Sequence, residues 1–413
     1  MSFKRIAFVL FVVFLGVVLV QDAYVKHLRQ RKIEPRNYMV VLSLDGFRFD
    51  YQDITDTPNF DTIRQNGVKA AGFQPVFPSV TFVNHYTMAT GLFAENHGLV
   101  ANKFMVPQTR QIYSSRDANA VADSRFYGGE PIWVTAESQR IKSAVSMWVG
   151  ADAVVKGYRP NRHQPYSAAV SYKARIDSII NWLSVDYNSR PHLAMCYIEA
   201  TDTIGHTFGP DSPEMVAAIQ QVDSLVGYFR HRLQELSFCD SINFIVVSDH
   251  GMMPVDTNRV IDLKQYLPDS WVDTVMCSSA ISLVYCKKHC ADSAVAALRG
   301  VDGIQAWLRN DLPERFHYSN VRVGDVVVLA DSGCALNYNS SRPARLGAHG
   351  YDNTNPLMNG IFYAFGPDFK QGYAAPQLYN VDLYALMCRL LNIAPAQNDG
   401  RIERIECVLR GEE

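Results

Sequence analysis

Three short apolar runs, each leading into an acid, set the strongest limit on how this chain can fold. Tyr38–Leu44 (YMVVLSL) runs into Asp45-Gly46, Leu193–Ile198 (LAMCYI) leads to Asp202, and residues 244–247 lead to Asp249-His250-Gly251. A run that is apolar at nearly every position has no solvent face. As a strand it is buried on both sides, which is parallel-sheet material. Helical patterns lie between the runs. Thr57-Pro58 opens one that stops at Asn66-Gly67. Ser212-Pro213 opens another, whose stripe Val216, Ile219, Val222, Val226, Phe229, Leu233 keeps helical spacing. Residues 142–149 and 360–365 read as further strands, and residues 170–185 and 381–393 as further helices. This alternation predicts an α/β fold, a mostly parallel sheet with helices on both faces. From about residue 265 to 340 the rhythm breaks. Strand-like runs at 281–285 and 321–329 flank a helical stretch at 291–299, which predicts a small inserted α+β lobe.

Composition narrows the function. The chain has 413 residues, 48% hydrophobic and 19% charged, with a net charge of −2 and no block of like charge. That is enough for a large core, and it speaks against a nucleic-acid backbone binder. The N-terminus stands apart. Lys4 and Arg5 precede residues 6–20, which carry no polar side chain. This matches the n- and h-regions of a secretory signal and is short for a spanning helix of about 20 residues. The expected organisation is a signal peptide or membrane anchor over 1–23, a linker over 24–37 and one large domain over 38–405. The expected location is extracytoplasmic: periplasmic, secreted, or held to the membrane through residues 6–20. The even count of eight cysteines permits disulfides, but their pairing is not legible. Cys196 and Cys388 lie in apolar runs and read as buried thiols. Cys286 and Cys290 lack a second pair at zinc-finger spacing.

Open α/β sheets bind their ligands beyond the carboxyl ends of the strands. Asp45, Asp202 and Asp249 are therefore expected to converge. His206 follows Asp202 by four residues, His250 follows Asp249 directly, and His349 sits in a Gly-rich loop. Each has an ordinary reading when taken alone. Asp45-Gly46 makes a turn, and Asp202 with His206 makes an i,i+4 helix pair. As a set, Asp and His with one hydroxyl suit Zn²⁺, and six such ligands exceed one tetrahedral shell, which suggests two ions. The hydroxyl is Thr81. The run from Thr81 to Gly91 reads as a short helix, with Thr81 at its N-terminus. There the residue is either a plain N-cap or part of an anion site. His85 and His97 lie nearby without an acid at ligand spacing and read as structural.

At this level of detail the chain resembles a known family. Leu44-Asp-Gly-Phe-Arg48, Pro78-Ser-Val-Thr-Phe-Val-Asn-His85, Ala89-Thr-Gly91, Asn96-His-Gly98, Tyr197-Ile-Glu-Ala-Thr-Asp-Thr-Ile-Gly-His206, Gly209-Pro210, Ser248-Asp-His-Gly-Met252 and His349-Gly-Tyr-Asp-Asn353 look like the nucleotide pyrophosphatase/phosphodiesterase family of the alkaline phosphatase superfamily. Residues 380–388 and Asn398-Asp-Gly400 look like its C-terminal pattern. The likeness spans about residues 38–402, in the family's order. It implies an alkaline-phosphatase-like fold and two zinc ions. Asp202, His206 and His349 match the ligands of one ion. Asp45, Asp249 and His250 match those of the other, which also takes the Thr81 oxygen. Thr81 is then the nucleophile, forming a nucleotidyl-threonine, and Asn102 matches the phosphate-binding Asn. Phe82 and Tyr197 match walls of an aromatic nucleobase slot, with Tyr158 as a third wall. The implied activity is hydrolysis of a nucleotide pyrophosphate or phosphodiester to a nucleoside 5′-monophosphate. The substrate is a small molecule, with no stable nucleic-acid complex. Phospholipid head groups, phosphonates or phosphomonoesters are the alternative substrates.

Overall fold

The run at 38–44 forms strand β1 (Tyr38–Leu44), and every one of its residues is buried. Alternate side chains explain why. Met39 and Val41 enter the core on one face of the sheet, while Tyr38, Val40, Leu42 and Leu44 enter the core on the other. The computed structural model describes residues 37–341 and 343–411. The apolar run at 6–20 lies outside them. Among the described residues no helix is long and apolar enough to cross a membrane.

The other strands of the main sheet are β2 (Val68–Ala70), β3 (Ser143–Ser146), β4 (Arg162–Gln164), β5 (Leu193–Ile198) and β6 (Ile242–Val247), followed late in the chain by β11 (Phe362–Phe365) and β12 (Tyr373–Ala375). Their order is β12-β2-β11-β6-β1-β5-β3-β4. β1 lies between β5 and β6, parallel to both. Only β11 runs against its neighbours, β2 and β6. Helices cover both faces. On one side are α1 (Pro58–Asn66), α4 (Tyr172–Leu183) and α6 (Pro213–Gln234), and on the other are α2 (Thr81–Thr90), α3 (Ile132–Ser138) and α8 (Leu383–Leu390). α6 starts as the sequence predicts: the Ser212 side chain accepts from Met215 N–H, and Pro213 occupies the first turn.

The interruption after residue 265 is a separate antiparallel sheet. It contains β7 (Val272–Cys277), β8 (Ile281–Cys286), β9 (Ile304–Leu308) and β10 (Val326–Ala330), in the order β7-β8-β10-β9, with α7 (Ala291–Leu298). Its strands alternate between two cores. Val326, Val328 and Ala330 pack within the lobe, whereas Val327 and Leu329 pack against the main domain. Cys196 and Cys388 are buried, and all eight cysteines are unpaired thiols.

One turn connects fold to site. Gly46 follows β1 with a φ of +66°, and a Cβ there would lie 3.0 Å from the Asp202 Cα. Gly46→Ala should therefore destabilise the fold by about 1–2 kcal/mol from the left-handed backbone alone, with added displacement of Asp202. Thermal unfolding checks this, and an unchanged melting temperature would overturn the turn geometry.

Candidate active site

Three parallel neighbours ending at one level bring their trailing residues together. Leu44 pairs with Ile198, and Ser43 pairs with Val247. The backbone then ties the segments beyond the strands. Asp45 N–H donates to Ile198 O (2.8 Å), Asp202 N–H to Asp45 O (3.0 Å) and Gly46 N–H to Asp249 Oδ1 (3.2 Å). α5 (Ala200–Phe208) begins here, and its i,i+4 spacing puts Asp202 and His206 on one face. The segment Gly347-Ala348-His349, which follows the lobe, lies against α5, where Gly347 O faces His206 Nδ1 at 2.8 Å.

All six predicted ligands meet. Ligand atoms of Asp202, His206 and His349 lie within 4.8 Å of one another, as do those of Asp45, Asp202 and His250. Asp202 thus belongs to both groups. Asp249 joins through Oδ2, 3.1 Å from His250 Nε2. The family pattern places Asp202 with His206 and His349 only. Its position between the two groups is a feature of the folded site.

The donor chemistry suits a cation. Asp45 Oδ1, Asp202 Oδ1 and Asp249 Oδ2 are buried without a hydrogen-bond donor. Among the described residues no Lys or Arg pairs with these carboxylates. The imidazoles are aimed with their bare nitrogens inward. Nδ1 of His206 faces Gly347 O (2.8 Å), Nδ1 of His250 faces Gly251 O (2.9 Å) and Nδ1 of His349 faces Ser79 O (2.9 Å). A carbonyl accepts only, so Nδ1 carries the hydrogen and Nε2 keeps its lone pair. Nε2 of His206 and Nε2 of His349 then stand 3.1 Å apart with no proton between them. Three orphan carboxylate oxygens and three converging lone pairs fit divalent cations.

Electrostatics agree. Burial, and then the charges of Asp249 and Asp202, push the Asp45 carboxyl well above the usual range. Burial also raises Asp249, but His250 and His85 outweigh it and hold it at about 2. Burial opposes ionisation of Asp202 as well, and the imidazoles of His206 and His349 override it, leaving it below the usual range. Burial lowers His206 and His250 to about 4 against the pull of their carboxylates, so both imidazoles are neutral at physiological pH.

Thr81 lies within the same cluster, but it is not an N-cap. Val80 holds the cap position with an extended backbone, and Thr81 is the first helical residue of α2. Its Oγ1 makes no capping bond and stands 3.2 Å from His250 Nε2. Asn102 lies beside it. Its Oδ1 accepts from Phe82 N–H in the first turn of α2 (3.0 Å), which leaves its NH₂ group free to donate elsewhere. One of the helix's open N–H groups is therefore already taken.

The aromatic residues divide. Phe82 is half-buried, its ring 6.2 Å from Tyr113. Tyr197 is buried, and its hydroxyl donates to Asp45 Oδ2 at 2.5 Å, so it holds a ligand as well as presenting a ring. Tyr158 is exposed on a tight turn, where its N–H donates to Val155 O. Two rings meet Tyr197 edge-on, the buried His85 at 5.0 Å and Tyr166, 52% exposed, at 6.3 Å. Sequence reasoning missed Tyr166 because its loop has no periodic pattern. His85 and His97 are both buried, and His85 does have an acid beside it. His85 is buried between Ser43 Oγ (2.8 Å), Thr81 O (3.0 Å) and Asp249 Oδ2 (3.2 Å). His97 is buried against Thr87 Oγ1 (3.0 Å), and burial lowers it to about 3.

Known proteins resemble this chain in sequence and fold. The profile of the family described as type I phosphodiesterase / nucleotide pyrophosphatase matches residues 39–352. Human ectonucleotide pyrophosphatase/phosphodiesterase family member 5 is 35% identical over 382 residues, which is 91% of this chain and 79% of the relative. The bis(5′-adenosyl)-triphosphatase of Mus musculus is 33% identical over 378 residues, 90% of this chain and 81% of the relative. Among solved structures, murine ectonucleotide pyrophosphatase/phosphodiesterase 5, in an inactive threonine-to-alanine form in complex with AMP, superposes with a TM-score of 0.87. It is 36% identical, over 91% of this chain and 100% of that one. The sheet is thus the alkaline-phosphatase-like α/β fold, and this chain is a hydrolase belonging to the type I phosphodiesterase / nucleotide pyrophosphatase family.

Proposed function

We propose that this protein is an extracytoplasmic, zinc-dependent enzyme that hydrolyses nucleotide pyrophosphate or phosphodiester bonds and releases a nucleoside 5′-monophosphate. The observation that carries this reading is Thr81 Oγ1, free of any capping bond, in the first turn of α2 and inside a cluster of orphan carboxylates. Asp202, His206 and His349 would hold one Zn²⁺, and Asp45, Asp249 and His250 a second that also takes Thr81. Bound there, the ions would favour the ionised form of a coordinated hydroxyl and offset charge on phosphoryl oxygens.

The chain's own groups then supply the steps. Thr81 Oγ attacks phosphorus in line, the bond to the leaving oxygen breaks, and a nucleotidyl-threonine forms. Water attacks the same phosphorus, breaks its bond to Thr81 Oγ and regenerates the hydroxyl. The Asn102 NH₂ group, held by the Phe82 N–H on its other atom, donates to a phosphoryl oxygen and is already oriented before charge develops. Phe82 and the Tyr197–Tyr166 pair border the site as aromatic walls for a nucleobase. Tyr158, exposed on the turn before β4, is the third candidate wall. Aromatic walls also suit a choline cation, so the phospholipid head-group reading shares this feature. The basic pair and apolar run at the N-terminus support export or a membrane anchor.

Thr81→Ala is expected to abolish turnover while fold and zinc content persist; near-normal activity would remove Thr81 as the nucleophile. In a panel of a nitrophenyl nucleotide ester, nitrophenyl phosphate and nitrophenyl phosphorylcholine, the first should be preferred and a chelator should stop turnover. Insensitivity to chelator would reject the metal reading. Phe82→Ala should raise KM for the nucleotide ester more than it lowers kcat, and an unchanged KM would move the slot elsewhere. Zinc affinity should weaken with falling pH, as protons compete for the upward-shifted Asp45 carboxyl and, near 4, for His206 and His250. Zinc titrations whose affinity does not fall as the pH is lowered to 4 would contradict this.

A further inference from the structure

Asn102 sits in a stretch of irregular backbone. Residues 98–102 leave a helical turn at Ala94–His97 and enter a short strand at Lys103–Met105. The Asn102 side chain is pinned to α2 through Phe82 N–H, and its carbonyl accepts from Ser115 N–H (2.9 Å). The inserted lobe reaches across to the same stretch. The Tyr318 hydroxyl donates to Val100 O (2.6 Å), and Arg322 Nη1 donates to Gly98 O (2.9 Å). On the far side of Asn102, the Tyr285 hydroxyl accepts from Met105 N–H (3.0 Å) and donates to Arg322 O (2.8 Å). The lobe thus holds the chain at positions 98 and 100 before Asn102 and at position 105 after it.

Leu99, Val100, Tyr285 and Tyr318 are all buried, and a carbonyl in such a setting has to find a donor. A regular element supplies one from its own ladder. Here side chains of the lobe supply it, so the lobe sets where the stretch lies. Arg322 serves the same end without neutralising an acid. Its guanidinium also donates to the carbonyls of Phe126 (2.6 Å) and Arg125 (2.8 Å). An amide that offsets charge on a phosphoryl oxygen has to be in place before that charge develops. We infer that Tyr318, Arg322 and Tyr285 are positioning residues, which fix Asn102 against the Thr81 end of α2, so that the lobe acts on phosphoryl transfer through this amide. The inference rests on the reading of Asn102 as the phosphate-binding amide given above.

The test is a double-variant cycle in the full chain, Tyr318→Phe against Asn102→Ala. For each protein, kcat and KM are measured on a nitrophenyl ester of a nucleoside 5′-monophosphate, together with bound zinc. Arg322→Lys is carried through the same cycle, so that the test stands even where Tyr318→Phe does not fold. An amide that acts in the transition state shows in kcat more than in KM. Each lobe variant should lower kcat by about threefold to thirtyfold, the effect of a misplaced group, with zinc content unchanged. In the Asn102→Ala background the same changes should lower kcat by less than about twofold, because the amide they position is gone. Equal losses in the two backgrounds, a shift carried by KM alone, or loss of bound zinc would mean that these contacts only support the fold, and would overturn the inference. Near-normal turnover of Asn102→Ala defeats the underlying reading. A large loss from Asn102→Ala with unchanged kcat in both lobe variants defeats this inference alone.

Discussion

The site depends on one constraint: β5, β1 and β6 are parallel, adjacent and end at the same level. Strands in a sheet lie about 4.8 Å apart, so acids placed just beyond three neighbouring ends are forced together. Buried carboxylates at such spacing repel and lose their hydration. Among the described residues the chain forms no ion pair between these acids and a Lys or Arg. It supplies imidazoles whose hydrogens are already committed to carbonyls, so they bring lone pairs instead of charge. A cluster so arranged suits cations, and burial together with the charges of Asp249 and Asp202 pushes the Asp45 carboxyl well above the usual range.

A second layer decides which oxygen of each acid is offered. Asp45 has Oδ2 tied to the Tyr197 hydroxyl and Oδ1 left bare. Asp249 has Oδ1 tied to Gly46 N–H, and its Oδ2 lies between His85 Nδ1 (3.2 Å) and His250 Nε2 (3.1 Å). One oxygen anchors and the other points into the site, which orients a ligand without neutralising it. His85 belongs to this layer. Fully buried, it links Ser43 on β1, the carbonyl of Thr81 and the carboxylate of Asp249. It thereby couples the strand end, the helix with the hydroxyl, and one acid.

The strands were legible because burial on two faces leaves an unbroken apolar run, and most of the candidate ligands because Asp45, Asp202 and Asp249 lie just beyond such runs with His206 and His250 close behind in sequence; His349 stands apart in a Gly-rich loop. Other features leave no such mark. The reversed direction of β11 is invisible, since Phe362–Phe365 would be equally apolar either way. The cap of α2 is off by one residue: Thr favours that position on propensity, yet Val80 occupies it and frees the Thr81 hydroxyl. Tyr197 was legible as a ring but not as a donor to Asp45, because that bond joins strand β5 to the turn after β1. Tyr166 was not legible at all. Its partners Glu199 and Arg175 are distant in sequence, and only the fold brings them together.

The inserted lobe raises a final question of economy, since it separates His250 from His349 in the chain although their rings stack at 3.7 Å. A flexible insertion would leave His349 poorly placed. The lobe avoids this by gripping the segment that precedes Thr81. Phe316 of the lobe stacks on Phe77 at 3.9 Å, and Tyr318 meets the same ring edge-on at 5.2 Å. Two residues further on, Ser79 O accepts from His349 Nδ1 and Ser79 Oγ donates to Tyr351 O. The Tyr351 hydroxyl returns to the lobe at Cys334 O. The stretch that delivers the hydroxyl and the stretch that delivers His349 are therefore clamped to each other and to the lobe. Aromatic burial in the insertion fixes the distance between nucleophile candidate and ligand, so sequence separation costs the site none of its order.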